Sequence, residues 1–280
     1  MSDGECVDFG FVFAMSMEAA GVVDLLEGCV TTRGNGRVFH KGKLKKSVVV
    51  IVESGIGQAK AASATSALLD IFCPKFIISA GYAGGLLPEL KRFDVYQPDL
   101  LLRKSDGMII EVLDNMPKVV KKIIDDDDQS IDNRTDAVFQ NIVTKNRRML
   151  VTVDRPVEMA AQKLLLGKES GAAVVDMETF AVAEVCANWK NENNSNGGVR
   201  FEAVRIILDA ADDELPKEVK KIMQSYERNT ARLIGTAIGS FFRRPTVVLD
   251  LYSLKERALQ AADILAKYII KNIAADKYKI

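Results

Sequence analysis

Short apolar runs rich in β-branched residues alternate along the chain with longer segments in which apolar residues recur every three or four positions. This alternation is typical of strand and helix units arranged around one largely parallel or mixed sheet. It predicts an α/β fold with a mixed central β-sheet flanked by helices. The predicted strands are 9–15, 47–54, 75–81, 94–103, 149–154, 172–177 and 201–209. The predicted helices are 17–28, 57–72, 157–169, 178–190, 216–242 and 253–274.

A single domain spanning 1–280 is predicted, because neither an internal repeat nor a clear interdomain linker interrupts the chain. A polar excursion is expected near 113–147, where the acidic run DDDDQSIDNRTD favours a solvated surface loop. The stretch 191–198 is a predicted turn. An extra amphipathic C-terminal helix is predicted near 253–274. Its packing on another subunit or on a membrane surface stays open, but packing on the core is expected.

The charge balance argues against partners that are bound by a global field. Lysine plus arginine and aspartate plus glutamate both number 38, so nothing draws nucleic acid or anionic membranes to the whole surface. The basic stretch HKGKLKKS, 40–47, is expected to be a solvated hairpin rather than a phosphate track. The N-terminal sequence lacks the basic and apolar regions of a secretory signal, and no apolar run approaches the length of a membrane span. A cytoplasmic protein is therefore predicted.

The cysteines and the single histidine exclude several kinds of site. Four cysteines lie far apart without a CxxC pair, which favours reduced, mostly buried thiols over a zinc site or a disulfide framework: Cys6, Cys29, Cys73 and Cys186. His40 is the sole histidine, so multi-histidine metal sites are excluded and a serine or cysteine triad is disfavoured. His40 itself is expected to be exposed in a basic turn, although service as a lone base stays open. Neither a metal nor an organic cofactor is implied.

Carboxylates stand at the ends of several predicted strands. In open α/β sheets the ligand crevice lies beyond the carboxyl ends of the strands. Glu18 follows the first strand, Glu178 stands in the apolar run VVDMETFAVAEVC, and Arg205 and Asp209 come within and at the end of a late strand. Glu178 alone is also explained as a helix-capping or first-turn acid, and Asp209 alone as the N-cap of a short helix. Arg205 alone is also explained as a buried salt-bridge partner of Glu178 or Asp209.

Two glycine-containing loops follow the second and third predicted strands. A dinucleotide-binding loop is disfavoured there, because ESGIGQAKAA departs from the G-x-G-x-x-G pattern. Two interpretations stay open. The glycines let both loops pass close to a small ligand, or they form tight turns without a ligand. The glycines concerned are Gly55, Gly57, Gly81, Gly84 and Gly85.

Taken together, five motifs in order resemble a known family. They are FAMSMEAAGVVDLL, ESGIGQAKAASAT, IISAGYAGGLLPELKRFDV, VVDMETFAVAEVC and VRIILDAADD. The sequence resembles the nucleoside phosphorylase and nucleosidase superfamily, particularly its 5'-methylthioadenosine/S-adenosylhomocysteine nucleosidase branch. The resemblance spans roughly residues 9–210, whereas 125–148 and the chain beyond about 245 have no counterpart.

The resemblance implies a role for each residue that matches a motif. Glu18 would activate the attacking water, and Arg205 would help to order the region of the nucleophile. Met177 would pack on the ribose, and Glu178 would accept hydrogen bonds from its hydroxyls. Asp209 would protonate the purine or hold its N7 proton. An acid near the base and a carboxylate near the sugar would then stabilise different halves of one transition state.

Three further residues are implied less directly. Val157 would line the base pocket, and Gly84 would lie against the ligand. Tyr82 stands where the nucleosidases usually carry a small serine or threonine. Its phenol either closes part of the nucleophile or sugar pocket or packs outward with a purely structural role. The 5' substituent therefore stays open, and a large lipid-like group or futalosine-type chemistry is compatible with this sequence.

The expected reaction is hydrolysis of the N-glycosidic bond of a 5'-substituted, adenosine-type purine nucleoside. The loop after the first strand reads AMSME, and its glutamate suits activation of water better than a grip on phosphate. Phosphorolysis is the first alternative, and a nucleoside-binding or storage protein without turnover is the second. The resemblance also implies a homo-oligomer, a dimer or higher.

Overall fold

The computed structural model describes residues 6–34, 36–122, 148–190, 198–213 and 245–274. Within these ranges the chain forms twelve strands and five helices. The strands are β1 (Phe9–Phe13), β2 (Glu27–Gly34), β3 (Arg37–Leu44), β4 (Ser47–Glu53), β5 (Phe76–Gly85), β6 (Val95–Tyr96), β7 (Leu100–Arg103), β8 (Met108–Leu113), β9 (Met116–Lys122), β10 (Met149–Thr152), β11 (Val174–Asp176) and β12 (Arg200–Asp209). The helices are α1 (Ser16–Val23), α2 (Gln58–Phe72), α3 (Ala160–Ser170), α4 (Thr179–Asn188) and α5 (Pro245–Ala274).

All twelve strands belong to one mixed sheet. The main path runs β2-β3-β4-β1-β5-β11-β10-β7-β8-β9, and β12 pairs with β5 and with β6 off that path. The pairs of β1 with β4, β1 with β5 and β12 with β5 are parallel. The pair of β11 with β5 is antiparallel. The predicted α/β fold with a mixed central sheet is therefore confirmed.

Helices cover both faces of the central strands. Successive side chains of a strand point to opposite faces of its sheet. Phe11 of β1 and Ile78 of β5 belong to the buried cluster that also contains side chains of α1 and α5. Val12 and Ile77 belong to the cluster that contains side chains of α2 and α4. Burial on both faces explains why β1 and β5 are apolar almost throughout rather than at every second position.

Several boundaries differ from the predicted ones. The predicted strand 94–103 is two strands, β6 and β7, separated by a segment that includes Pro98, which lacks a backbone donor for a continuous ladder. The predicted helix 17–28 ends at Val23, and β2 begins at Glu27. The sequence does not reveal β2 because all eight of its residues are exposed, so it carries no apolar alternation. The strands β3, β8 and β9 were likewise not predicted.

The C-terminal helix α5 packs on the core, as expected. It begins at Pro245, earlier than predicted, and ends at Ala274. Ala261, Leu265 and Ile269 are buried in the cluster that α1 shares. The predicted helix 216–242 and the acidic run at 125–136 lie outside the described residues, as does the predicted turn at 191–197.

The expectation that His40 is exposed in a basic turn is wrong. His40 lies in β3, is only 8% exposed, and has its ring nitrogens 2.9 Å from Thr31 Oγ1 and from Glu53 Oε1. These two polar partners explain how an imidazole is accommodated inside the sheet. The hairpin predicted for 40–47 is confirmed as the β3–β4 connection.

The cysteines are not mostly buried. Cys186 is buried and Cys73 half-buried, whereas Cys6 and Cys29 are exposed. No disulfide joins any of the four, all of which lie in described parts of the chain.

Candidate active site

The strand β5 changes partners along one of its edges. β1 pairs with it over Phe76–Ser79, and β11, running in the opposite direction, pairs with it at Gly84 and Gly85. The other edge is occupied by β12, from Phe76 to Gly84. The carboxyl ends of β1 and β11 therefore point toward each other beside residues 80–83. We call this space the β5 gap.

Glu18 reaches the β5 gap from the first turn of α1. Its carboxyl group is buried, with 4% of the residue exposed. The backbone N–H of Tyr82 donates to Oε1 at 2.9 Å, and the N–H of Met15 donates to Oε2 at 2.9 Å. Burial raises the pKa of Glu18, while these backbone donors and Arg205 act in the opposite direction. A carboxylate with a raised proton affinity is suited to accept a proton near neutral pH.

Glu178 reaches the same space from the N-terminal end of α4. Its side chain makes no capping bond to that helix, and instead Oε1 accepts the backbone N–H of Gly57 at 2.7 Å. Gly57 has a φ of +101°, in the region that favours glycine. Burial, followed by the nearby charges of Asp176 and Glu18, raises the pKa of Glu178 to about 8, against the opposing effects of the Gly57 N–H and Arg205. Glu178 therefore occupies the N-cap position of α4, but its side chain does not cap the helix.

Arg205 lies on β12 opposite Gly81 and is buried. Its Nη2 donates to Ser79 Oγ at 2.8 Å, to Asp176 Oδ2 at 3.0 Å and to Thr179 Oγ1 at 2.6 Å. Nε donates to the same Asp176 oxygen at 3.2 Å. The salt-bridge partner of Arg205 is thus Asp176 rather than either of the two predicted acids. These bonds hold the guanidinium in one orientation beside the β5 gap.

A small cavity opens at the β5 gap. Its free volume is about 10 Å³, which is about the space that one water needs. A carboxylate that accepts a proton and a fixed guanidinium both face this space, so the arrangement can bind and polarise a water. The cavity is lined by Val12, Ala14, Glu18, Ser54, Ser79, Ala80, Gly81, Tyr82, Glu178 and Arg205.

Asp209 lies at the end of β12, where it is opposite Gly84 of β5. Gly84 is three residues beyond Gly81, the residue opposite Arg205, and three residues span about 10 Å along a strand. A β-carbon at Gly84 would be 3.4 Å from Asp209 Oδ2, so a larger residue would crowd the carboxylate. The same oxygen is paired with the ammonium of Lys163. Burial raises the pKa of Asp209, and Lys163 acts in the opposite direction.

The side chain of Tyr82 is tied to the C-terminal helix. Its hydroxyl donates to the backbone carbonyl of Ala258 in α5 at 2.7 Å, and its ring packs against the cluster shared by α1 and α5. The contact between Tyr82 and Glu18 is made by the backbone N–H. This geometry agrees with the interpretation that the phenol packs outward with a structural role.

Tyr82 lines the cavity, whereas four predicted site residues do not: Met177, Val157, Gly84 and Asp209. Met177 is half-buried between Asp176 and Glu178. Val157 is half-buried against the cluster that contains Val175. Val175 lies close to Gly84, since its Cγ1 would be 3.2 Å from a β-carbon there. Val157 is therefore nearer the Asp209 end of the site than the Glu18 end.

The sequence did not single out Asp176, Ser79 or Lys163. An acid at the end of a buried strand was a usable signal for Asp176, because such a charge needs a partner. Ser79 carries no such signal within an apolar strand. Lys163 carries none either, since a lysine in an amphipathic helix is normally solvated. Its ammonium is completely buried against the loop after β12, where the carbonyls of Ala210 and Asp213 accept its hydrogen bonds.

Metal-binding clusters and membrane-spanning helices are both absent from the described ranges. No group of three or more histidine, cysteine, aspartate or glutamate side chains is arranged there to hold a metal ion. Nor does any helix in those ranges have the length and apolar character needed to cross a membrane.

Comparison with known proteins identifies relatives over most of the chain. A family model described as the phosphorylase superfamily matches residues 8–239. The 5'-methylthioadenosine/S-adenosylhomocysteine nucleosidase of Colwellia psychrerythraea is 29% identical over 245 residues, which cover 82% of this chain and 95% of the relative. The nucleosidase of the same name from Marinomonas sp. is 27% identical and covers 80% of this chain and 95% of its own length.

Solved structures share the fold at lower identity. Futalosine hydrolase of Helicobacter pylori superposes with a TM-score of 0.61 at 18% identity, covering 96% of this chain and 98% of its own. The 5'-methylthioadenosine/S-adenosylhomocysteine nucleosidase of Neisseria meningitidis, in complex with methylthio-immucillin-A, superposes with a TM-score of 0.58 at 18% identity. It covers 94% of this chain and 99% of its own.

Proposed function

The chain belongs to the phosphorylase superfamily, and from that premise we propose that it hydrolyses the N-glycosidic bond of a 5'-substituted adenosine. The observation that carries the proposal is that buried Glu18 and oriented Arg205 both line one cavity with room for one water. The names of its relatives support the same reaction, because they are nucleosidases for 5'-methylthioadenosine and S-adenosylhomocysteine.

The attack on the sugar takes place at the β5 gap. Glu18 accepts a proton from the water held there, and the water oxygen bonds to the anomeric carbon of the ribose. Arg205 is held by Ser79, Asp176 and Thr179 and orders this region. Glu178 accepts hydrogen bonds from the ribose hydroxyls, which provide the partners that its buried carboxyl group needs.

The departing base is stabilised at the other end of the site. When the bond from the anomeric carbon to the base nitrogen breaks, its electron pair stays on the purine. Asp209 gives a proton to N7 or holds the proton there, which neutralises the developing negative charge. On β12, Arg205 is opposite Gly81 and Asp209 is opposite Gly84, two positions about 10 Å apart along β5. The base and the nucleophile are therefore served by separate groups. Met177 contacts the ribose, and Val157 and Gly84 line the side of the base.

Water is favoured over phosphate as the nucleophile by the charges at the β5 gap. Glu18 faces the cavity, and the carboxylate form in which it accepts a proton from water repels phosphate. The donors of Arg205 at Nη2 and Nε already bond protein oxygens, so they are not available for a bidentate grip on phosphate.

The test is release of free base from a panel of nucleosides. The panel contains adenosine, methylthioadenosine, S-adenosylhomocysteine, inosine and futalosine, each with and without phosphate. Asp209→Asn is expected to lower turnover by about 10² to 10⁴-fold, whereas Asp212→Asn, an exposed neighbour, is the matched control and is expected to retain activity. The preferred substrate in the panel identifies the 5' group.

Three outcomes contradict the proposal in different ways. Release that requires phosphate and yields ribose 1-phosphate would make the protein a phosphorylase and remove the role of Glu18. Thermal stabilisation by a nucleoside without any base release would indicate a binding or storage protein. Release that is insensitive to Asp209→Asn would remove Asp209 from the reaction. The cytoplasmic location and the homo-oligomer stay predictions from the sequence.

A further inference from the structure

Lys163 is a completely buried lysine beside the proposed acid. It projects from α3, and none of its surface is exposed. Its ammonium pairs with Asp209 Oδ2 and donates to the backbone carbonyls of Ala210 at 2.8 Å and of Asp213 at 3.1 Å. An ammonium has three donors, and these three oxygens use all of them. Lys163 therefore has no donor left for a substrate and acts only through its partners.

We propose that Lys163 is a positioning residue that stabilises the carboxylate formed when Asp209 gives its proton to the purine. The inference rests on the proposed function and adds a residue to it. Because Lys163 engages Oδ2, the other oxygen of Asp209 is the one that serves the purine in this proposal. No described hydrogen bond of the structure occupies that other oxygen.

Lys163 is itself held by a second ion pair. Arg92 Nη2 donates to Asp213 Oδ2 at 2.6 Å, and Asp213 Oδ2 also accepts the backbone N–H of Ala210 at 2.8 Å. The loop after β12 is thereby folded so that its carbonyls surround the ammonium. Arg92 pairs with the carboxylate of Asp213, the backbone carbonyl of Asp213 accepts from Lys163, and Lys163 pairs with Asp209. The four side chains carry two positive and two negative charges when all are ionised, so their net charge beside the base is zero.

A role in stability alone does not account for this arrangement. Taking a lysine and an aspartate out of water is costly, and well-packed apolar side chains commonly stabilise a fold equally well. The pair lies instead at the one strand end where the proposed reaction needs an acid. The groups that face Asp209 are Lys163 from α3, Asp213 from the loop after β12 and Arg92 from the loop after β5.

The charges around Asp209 define the expected effect of removing Lys163. Burial raises the pKa of Asp209, and Lys163 lowers it again. Burial thus lets the acid keep a proton before the reaction, while the ammonium makes that proton easier to release. Without Lys163 the acid holds its proton more tightly, so it remains protonated to higher pH but transfers the proton less readily.

The experiment compares the pH dependence of kcat for wild type, Lys163→Gln and Lys163→Met on the preferred nucleoside. Lys168→Gln, on the exposed side of the same helix, is the matched control. If Asp209 must be protonated to act, kcat of the wild type falls as pH rises through the pKa of Asp209. Both Lys163 variants are expected to have a lower maximal kcat and a descending limb displaced to higher pH by about 1 unit or more. The control is expected to keep the wild-type profile.

Several results would overturn the inference. A folded, active Lys163 variant with the wild-type profile would make Lys163 a structural tie only, and so would a wild type without a descending limb. The glutamine variant keeps two donors for the surrounding carbonyls, so it serves if the methionine variant does not fold. Absence of turnover by the wild type on the whole panel would contradict the proposed function as well, which distinguishes that failure from a failure of the Lys163 inference alone.

Discussion

Gly81 and Glu18 are so close that a β-carbon on Gly81 would lie 2.9 Å from Glu18 Oε1 and 3.2 Å from its carboxyl carbon. Gly81→Ala is therefore expected to displace the carboxylate from the β5 gap. A displacement of about 1 Å in the proposed base is expected to lower turnover by about 10²-fold. Steady-state base release measures the effect.

A matched substitution separates this effect from the general consequences of replacing glycine. Gly34 has no atom within 4 Å of the position of a β-carbon, so Gly34→Ala is expected to retain turnover. Equal losses in the two variants would show that contact with Glu18 is not the cause.

The carboxyl group of Glu178 is expected to make stability depend on pH. Its pKa is about 8 in the folded protein, raised by burial from 4.5, so the folded state binds its proton more tightly than the unfolded state. The stabilisation is present in full below pH 4.5 and is lost as pH rises through 8. Relative to Glu178→Gln, the wild type should lose up to about 1.4 kcal/mol of unfolding free energy per pH unit within that window. Urea titrations at several pH values measure it, and parallel curves for the two proteins would contradict it.

Removal of the guanidinium of Arg205 should destabilise the fold strongly. Arg205→Met leaves Asp176 buried without its cation, and breaking such a pair costs about 3 to 5 kcal/mol. Lys104→Met breaks the pair of Lys104 with Glu169, in which the two side chains are 46% and 50% exposed, and should cost about 0 to 1 kcal/mol. Unfolding free energies from urea titration provide the comparison. Similar losses for both variants would contradict the expectation that the buried Arg205 network contributes more to stability than an exposed ion pair.

Tyr82→Phe separates the two interpretations of the phenol. The change removes the hydrogen bond to Ala258 and should cost about 1 kcal/mol of stability. Turnover should remain close to that of the wild type, because Glu18 is held by the backbone N–H at position 82. Unchanged stability together with a large fall in turnover would place the hydroxyl in the ligand pocket instead.

The central strands and the site acids were accessible to sequence reasoning for the same physical reason. A strand buried on both faces is apolar throughout, so β1, β4 and β5 stand out from the chain. Any carboxylate next to such a strand also stands out, because its burial requires a partner. The sequence predicts Glu18 and Glu178 as site carboxylates in this way, although it does not reveal their partners.

The remainder depended on contacts between distant parts of the chain. β2 is an exposed strand whose position is set by pairing with β3 rather than by its own pattern. Lys163 and Asp209 are 46 residues apart, as their numbers show, and local sequence does not report that a loop closes over the lysine. The burial of His40 likewise depends on Glu53 and Thr31, which come from two neighbouring strands.

The change of partners along β5 has an evolutionary consequence. At the β5 gap the anchor of Glu18 comes from the main chain at position 82, and every residue except proline supplies that N–H. The side chain at this position can therefore be exchanged without loss of the anchor. The side chain of Tyr82 bonds Ala258 of α5 instead of Glu18, so it ties the C-terminal helix to the strand that anchors Glu18. At position 82 the backbone can thus keep its hydrogen bond to Glu18 while the side chain changes its own contacts.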